Sequence, residues 1–474
     1  MARRGAIAGA LLTAALVAVS FLGWKAAGLP FAPFDIFDWI VRLLPGGLVT
    51  FAIESSVAIS RVFGVTSIGA AAKAGDQALA IAGLLLTGAV AGAVLFKILS
   101  LSGEPALLFG SILGAMLGGV ALVAEYRLQR LSPGSVVGPV WVFGTFLGWG
   151  LGFGWTHDRL STAEDAEDAE RRLGRRTLII TAVATLAGIA FSRWSRLAIG
   201  RRWSDDHALP NAASTVTPVT GTRPELTPIE DFYRIDTDTR APAIDGDRWR
   251  LAIAGLVSRE QTLTLADVRA LEPTHLFATL CCISNPPGGD LISTTRWTGV
   301  SLQRLLPQLA LTPSATHLKI TSADGFFEVV SLDTIRADER VMLAYAWDGV
   351  PLPAEHGFPL RLYVPDLYGM KQPKWITGIE AIAQWEPGYW VVRGWDREGH
   401  VVPAAAVDVA AQSGGTAQVG GVAFAGSRGV VTVEVSVDGG DWHEAQLRQP
   451  LSDLTWVVWR AQAPAGRRYV ARIR

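Results

Sequence analysis

The chain has 474 residues, with 42 Lys and Arg against 43 Asp and Glu, two cysteines, and hydrophobic residues making up 50% of the total. That length exceeds one ordinary domain and calls for two or three. A net charge of −1 gives no basic surface for nucleic acid, and two adjacent cysteines exclude a disulfide framework.

Residues 1–195 are dominated by Ala, Gly, Leu, Val and Phe, whereas 205–474 have the composition of a soluble domain. Four stretches, 5–23, 78–96, 105–124 and 136–155, are apolar and nearly uncharged. Each approaches the ~20 residues that a hydrocarbon core demands. A shorter fifth, 177–192, lies between arginines, so the sequence predicts five transmembrane helices. Asp35, Asp38, Arg42 and Glu54 interrupt 32–60, and Pro45-Gly46-Gly47 breaks a helix there. A charge at mid-bilayer costs about 2.5–3.5 kcal/mol on the insertion scale. This segment therefore reads as interfacial or re-entrant; if it spans, the final domain changes sides.

Arg3 and Arg4 favour a cytoplasmic N-terminus, as do Arg159, Arg171, Arg172, Arg175 and Arg176 for the loop before the fifth helix. Five crossings then place everything after residue 195 outside the cytoplasmic membrane. Arg175-Arg176-Thr177-Leu178, before a short and moderately apolar helix, reads either as an internal twin-arginine export signal or as a plain cytoplasmic stop. The acidic run 161–170 reads as a solvated linker. Only His157 comes near an apolar helix, so a membrane haem with two axial histidines is not expected. The charge pattern suggests no ion pathway, and the helices read as an anchor.

A linker rich in Thr, Pro, Ala and Asn covers 205–230. Strand-like runs follow at 249–257, 316–324 and 326–332, with short helical patterns at 265–272 and 301–309. The alternation predicts an α+β architecture with a mixed sheet. A break is expected at 404–415. Beyond it, 430–445 alternates as a half-buried strand should, and Asp438-Gly439-Gly440 signals a hairpin. Further strands at 455–462 and 467–474 suggest a small β-sandwich.

Both cysteines lie in TLCCISNPPGGDL (279–291). Neighbouring cysteines seldom bridge each other, because the ring strains the peptide between them. They are either two small buried hydrophobes or contain one metal ligand or nucleophile. The prolines lock φ, and the glycines let backbone approach a ligand closely. Downstream, 348–382 gathers His356, Arg361, Lys371 and Lys374 among Gly and Pro, and 230–242 adds Tyr233, Arg234 and Asp236. Such a cluster fits a bound anion, Arg offering a planar fork and Lys a point charge.

WRLAIAGLV, the Thr279–Ile292 segment, RWTGVSL (296–302), GVPLPAEHGFPLRL and YGMKQPKWITGIE occur in that order. Through these pieces residues 225–474 resemble the sulfite-oxidase family of molybdopterin enzymes. The resemblance implies a multi-domain chain: an α-helical membrane bundle over 1–195, an α+β molybdopterin-binding domain over 205–405, and an immunoglobulin-like β-sandwich over 412–474. Together, the export signal and helices resemble a membrane-anchored actinobacterial branch. Carried over by position, the metal-binding cysteine falls on Cys282, leaving Cys281 as a packing residue. The other metal ligands would be dithiolene sulfurs of one molybdopterin with oxo or water groups. Cofactor contacts fall on Tyr233, Arg234, Asp236, Asp324, His356, Arg361, Lys371, Gln372, Pro373 and Lys374, and Arg296 is a candidate catalytic residue.

Tyr-Arg-Ile-Asp-Thr departs from the Arg-Asn-His of animal sulfite oxidases, and Asp366 stands where relatives carry glycine. The full set of sulfite-gripping arginines is not found. The resemblance implies molybdenum–molybdopterin, no haem, and oxygen-atom transfer on a small substrate, either sulfite oxidation or S-oxide reduction. It also implies multi-pass residence in the cell membrane, with the lipid bilayer as partner. An electron-transfer protein or quinone, and a homodimer contact, complete the expected partners. The competing readings are a non-catalytic membrane scaffold or receptor that kept the fold, and a transporter.

Overall fold

A computed structural model describes residues 1–62, 68–128, 130–131, 135–162 and 200–474. The expected fifth transmembrane helix at 177–192, the Arg175-Arg176 pair and the acidic run from 163 onward lie outside the described residues. The chain divides into two units, one containing residues 1–44, 73–199 and 237–240, the other 45–72, 200–236 and 241–474.

Six described helices come first: α1 (Ala2–Ala27), α2 (Ala32–Leu43), α3 (Gly46–Val62), α4 (Ile68–Ser102), α5 (Ala106–Arg127) and α6 (Val137–Thr162). Four of them, Ala2–Ala27, Lys73–Ser102, Ala106–Arg127 and Val137–Ser161, are long and apolar enough to cross a membrane. α2 and the start of α3 meet at 119°, as a broken span or a re-entrant loop would, where Pro45 interrupts the chain.

Glycines set the helix spacing in the first unit. A Cβ on Gly9 would lie 2.1 Å from the Gly88 carbonyl oxygen, and one on Gly110 would lie 2.3 Å from that of Gly150. The backbones of α1 and α4, and of α5 and α6, therefore touch directly, as small-residue packing in lipid permits.

The charges that broke the apolar pattern of 32–43 are paired, Asp35 and Asp38 fully buried and Arg42 partly so. Residues 237–240 belong to this unit and supply their partners. Asp38 accepts hydrogen bonds from the Thr239 N–H at 2.9 Å and its hydroxyl at 3.0 Å. Asp238 takes Arg42 at 2.5 Å and also Arg130. Asp35 takes Arg240, while the Gln77 amide and the Lys73 ammonium donate to the Thr239 and Asp238 carbonyls. Buried charges persist only when paired in this way.

In the second unit, β1 (Arg250–Gly255), β2 (Gln261–Thr264), β5 (His317–Ser322), β6 (Phe327–Ser331) and β10 (Ile376–Ile382) form a mixed sheet ordered β2-β1-β10-β5-β6. Its β1–β10 pairing is parallel. A second, antiparallel sheet contains β3 (Thr274–Cys281), β4 (Ile292–Ser301), β7 (Met342–Trp347), β8 (Val350–Pro351) and β9 (Arg361–Tyr363), with β9 paired to β7. The inward residues of both, including Leu251, Ile320, Val300, Leu343, Leu362 and Ile379, form one apolar core. In β5, His317 and Lys319 alternate with buried Leu318 and Ile320, the period-2 pattern of a strand with one covered face.

The stretch 404–415, expected to be a break, is instead mostly β11 (Ala404–Ser413), which pairs along its length with β12 (Thr416–Phe424). Small alanines hid a strand whose partner alone specifies it. β15 (Gln446–Leu447) and β16 (Val457–Pro464) complete that four-stranded sheet. β13 (Val433–Val437), β14 (Trp442–Glu444) and β17 (Tyr469–Ile473) form a three-stranded one. Val419 and Trp459 of the first and Val433 and Val435 of the second share a core. The hairpin turn falls as expected, Asp438 and Gly439 both taking positive φ (53° and 80°).

Candidate active site

β3 ends at Cys281, opposite Ile292 of β4, and Cys282 opens the turn. Three hydrogen bonds close the neck of that turn. The Cys282 N–H donates to the Leu291 carbonyl (2.9 Å), the Asn285 N–H to the Cys282 carbonyl (3.0 Å), and the Leu291 N–H to Asn285 Oδ1 (2.9 Å). Gly288 takes φ of 81°, which the turn requires. Arg223 braces the turn from outside: Nη1 donates to the Gly289 carbonyl at 3.1 Å, and Nη2 binds Asp408 of β11 at 2.6 Å. Sequence reasoning missed Arg223 and Asp408, because only the folded chain brings them to the turn.

The two thiols face different surroundings. Cys281 packs with Val401, Val422, Phe424, Trp456 and Val458. Cys282 packs with Leu291 and Tyr233. Burial raises the pKa of both. For Cys282, the Ser284 and Ile283 N–H groups and the Ser284 hydroxyl oppose that shift by hydrogen bonding towards the sulfur.

Tyr233 reaches this point from a strap, residues 232–236, anchored by Phe232 against Trp347 (ring centroids 4.6 Å apart). The Tyr233 hydroxyl lies so near Gly369 that a Cβ there would approach it to 2.4 Å, so a larger residue at 369 would displace the Tyr233 side chain. Burial, then the Cys282 thiol, keeps the phenol protonated well above its ordinary range.

Behind the strap, the Arg361 guanidinium on β9 lies 4.9 Å over the Trp297 ring and donates one hydrogen bond, to the His356 carbonyl at 3.0 Å. Among the described residues no carboxylate pairs with it, although only 4% of the residue is exposed. Burial lowers its pKa to about 10, so it remains a cation at neutral pH. The His356 ring packs against Trp347 at 4.5 Å. Burial, with Lys374 and Arg361 nearby, holds it neutral. Asp236 pairs with both Arg234 (2.5 Å) and Lys374. Burial lowers the Lys374 pKa to about 8 against the opposing pull of Asp236.

The structure thus brings together Tyr233, Arg234, Asp236, Cys282, His356, Arg361 and Lys374. The other candidates are held by contacts of their own. Lys371 is buried against Glu328 at 3.4 Å, and Gln372 donates to the Leu367 carbonyl at 2.7 Å. Pro373 accepts from the Leu362 N–H (2.9 Å), and Asp324 from the Phe326 N–H (3.1 Å). Arg296 pairs with Phe277, four residues along the ladder from Cys281, on the order of 13 Å away. Its guanidinium stacks 4.5 Å over Trp203. Asp366 has φ of 63°, a left-handed conformation that explains a preference for glycine there and that Asp tolerates better than most residues.

A cysteine turn and a buried arginine without an ion-pair partner among the described residues suit a cofactor that brings a soft metal and an anionic group. The model of the oxidoreductase molybdopterin binding domain matches residues 238–390. An uncharacterized oxidoreductase of Bacillus subtilis, YuiH, is 31% identical over 155 residues, covering 33% of this chain and 76% of that protein. Mitochondrial sulfite oxidase of Mus musculus is 28% identical over 277 residues, covering 47% and 51%. A putative protein-methionine-sulfoxide reductase subunit, YedZ1, of Azospira oryzae is 27% identical over 209 residues, covering 44% and 74%. Among solved structures, the sulfane dehydrogenase SoxCD of Paracoccus pantotrophus aligns with a TM-score of 0.45 at 22% identity, over 55% and 74%. The chain belongs to the sulfite-oxidase family of molybdopterin-binding oxidoreductases. It spans about half the length of the mammalian sulfite oxidases it matches.

The family's cofactor, molybdenum–molybdopterin, fits these residues. Among the described residues no three His, Cys, Asp or Glu side chains converge to hold a metal by themselves. A single cysteine sulfur near a buried guanidinium that makes no ion pair with a carboxylate among the described residues suits a soft metal that brings its own sulfur ligands and an anionic tail.

Proposed function

We propose that this protein is a membrane-anchored molybdenum–molybdopterin oxidoreductase acting by oxygen-atom transfer on a small substrate outside the cytoplasmic membrane. The observation that carries the reading is the Cys282 turn, closed by Asn285 and set beside Tyr233 and Arg361. Cys282 would ligate the metal. Arg361, with Arg234 and Lys374 around Asp236, would receive the pterin's anionic end, and His356 would supply a neutral ring nitrogen. Tyr233 holds its proton on oxygen, so it serves as a hydrogen-bond donor next to the sulfur and not as a base. Lys371, Gln372, Pro373 and Asp324 would shape the loops that close the pocket against water. Bound there, the cofactor supplies two-electron oxygen-atom chemistry; the protein binds and orients it.

Electrons would pass to or from a separate protein or a quinone. The apolar helices would hold the chain in the bilayer, with a fifth span at 177–192 and Arg175-Arg176 as its export signal placing the site outside. The two C-terminal sheets are read as an immunoglobulin-like sandwich able to support a homodimer. The names of the relatives point to sulfite and to S-oxides of methionine as the substrate classes to compare.

The test is a screen of the full-length protein against sulfite, with an electron acceptor dye, and against sulfoxides, with a reduced dye donor. Turnover of one class that vanishes in Cys282→Ser supports the reading. A cofactor-loaded protein inert to every substrate favours a scaffold that kept the fold.

A further inference from the structure

Between β10 and β11 the oxidoreductase unit carries WEPGYWVVRGWDR (385–397), with three tryptophans, one tyrosine and two arginines. None belongs to the site described above. The loop folds back on itself: the Val392 N–H bonds the Gly388 carbonyl, and the Arg393 and Trp395 N–H groups bond the Trp390 carbonyl, at 3.0–3.1 Å. The Tyr389 N–H ties it to the Phe327 carbonyl of β6 at 3.0 Å. Arg393 stacks 3.6 Å over Tyr389, Arg397 4.1 Å over Trp385, and Trp390 packs on Trp395 with ring centroids 4.6 Å apart. The loop's Val392 is nonetheless 61% exposed.

Helix α3, in the same unit, lies on this loop. Trp395 Nε1 donates to Thr50 Oγ1 at 2.9 Å, and a Cβ on Gly46 would lie 2.8 Å from the Arg393 Cα. α3 leaves Leu48 56% and Phe51 68% exposed. Gly46 and Thr50 face the loop, so α3 and the loop together present bare Leu, Phe and Val beside amphipathic rings and arginine heads. Water is a poor solvent for the first group, and a hydrocarbon core is a poor one for the last. The boundary between headgroups and acyl chains suits both, and Trp, Tyr and Arg concentrate there. The chain itself leads from α3 towards the apolar segment Lys73–Ser102, so a lipid surface is the neighbour this sequence supplies.

We infer that loop 385–397 and the start of α3 form a membrane-interface surface of the oxidoreductase unit, its partner being the headgroup–acyl boundary of a phospholipid bilayer. This rests on the membrane anchoring proposed above.

The experiment places a nitroxide on Val392→Cys in the full-length protein in phospholipid nanodiscs. The native thiols are both buried, so labelling is directed to the new one. Met116→Cys on α5 (65% exposed) and Val431→Cys on the C-terminal sheets (85% exposed) serve as references. Collision with oxygen, which concentrates in lipid, is compared with collision with a water-soluble nickel chelate. The label at 392 is expected to favour oxygen several-fold more than the one at 431, and less than the one at 116. If 116 reads as lipid while 392 matches 431, the inference is overturned. Protection of 392 from both relaxants means a protein covers it and equally overturns the inference. An aqueous reading at 116 overturns the membrane anchoring itself.

Discussion

Successive residues at the end of a strand point to opposite sides, and that alternation separates the two thiols. Cys281 faces Trp456 and Val422, whereas Cys282 faces Tyr233. Cys281→Ala removes one small buried group and is expected to cost about 1 kcal/mol, with molybdenum content unchanged; equal metal loss in both cysteine variants would contradict the division of roles. His356 supplies a pH test. Its folded pKa is depressed below the ordinary 6.5, chiefly by burial, so below that pH the unfolded chain binds the extra proton. Stability from this group is therefore complete above pH 6.5 and falls as pH drops, by up to ~1.4 kcal/mol per unit. His356→Gln should flatten that acid limb in denaturant titrations at pH 5 to 7; an unchanged slope would mean that His356 protonates freely in the fold. The grouping of the candidate residues was legible in part at this scale. Cys282, Tyr233, His356, Arg361 and Lys374 stand in short segments rich in charge, proline or glycine, and the family resemblance supplied the roles that the residues alone left open. Lys371 illustrates the limit, since its partner Glu328 sits on a strand whose alternation says nothing about a buried carboxylate.

Elements carry the second level of the account. The strap bearing Tyr233 and Asp236 continues into residues 237–240, which the helical unit holds by buried ion pairs. The Asp238 carboxylate, fully buried, binds Arg42 and Arg130. Asp238→Ala leaves two arginines without their carboxylate and is expected to destabilise the protein by about 3–5 kcal/mol. Thermal unfolding of the detergent-solubilised protein measures this; a change within experimental error would show that water or lipid headgroups compensate. No sequence pattern announces this network. Asp38 and Thr239 lie 201 positions apart, and the acidic interruptions of 32–43 look like reasons to stay out of the bilayer until their partners are known. Arg223 and Asp408 were hidden for the same reason, their contact crossing 185 positions. By contrast the hairpin at 430–445, three of the five strands of the mixed sheet (β1, β5 and β6) and four apolar helices were readable, because period-2 alternation, turn glycines and hydrophobic length are local signals.

At the scale of the whole molecule, the proposed function requires that the apolar helices tie the oxidoreductase unit to a membrane. Export belongs to this level. Replacing Arg175 and Arg176 by Lys is expected to leave residues after 205 inaccessible to protease in intact spheroplasts; unchanged access would make the pair a simple charge anchor. The central claim, that the chain grips molybdenum through one sulfur, is tested most directly by X-ray absorption at the molybdenum edge. Wild-type protein and Cys282→Ser, each loaded with cofactor, should differ by the loss of one sulfur neighbour from the metal in the variant. Identical sulfur shells in the two proteins would contradict the account.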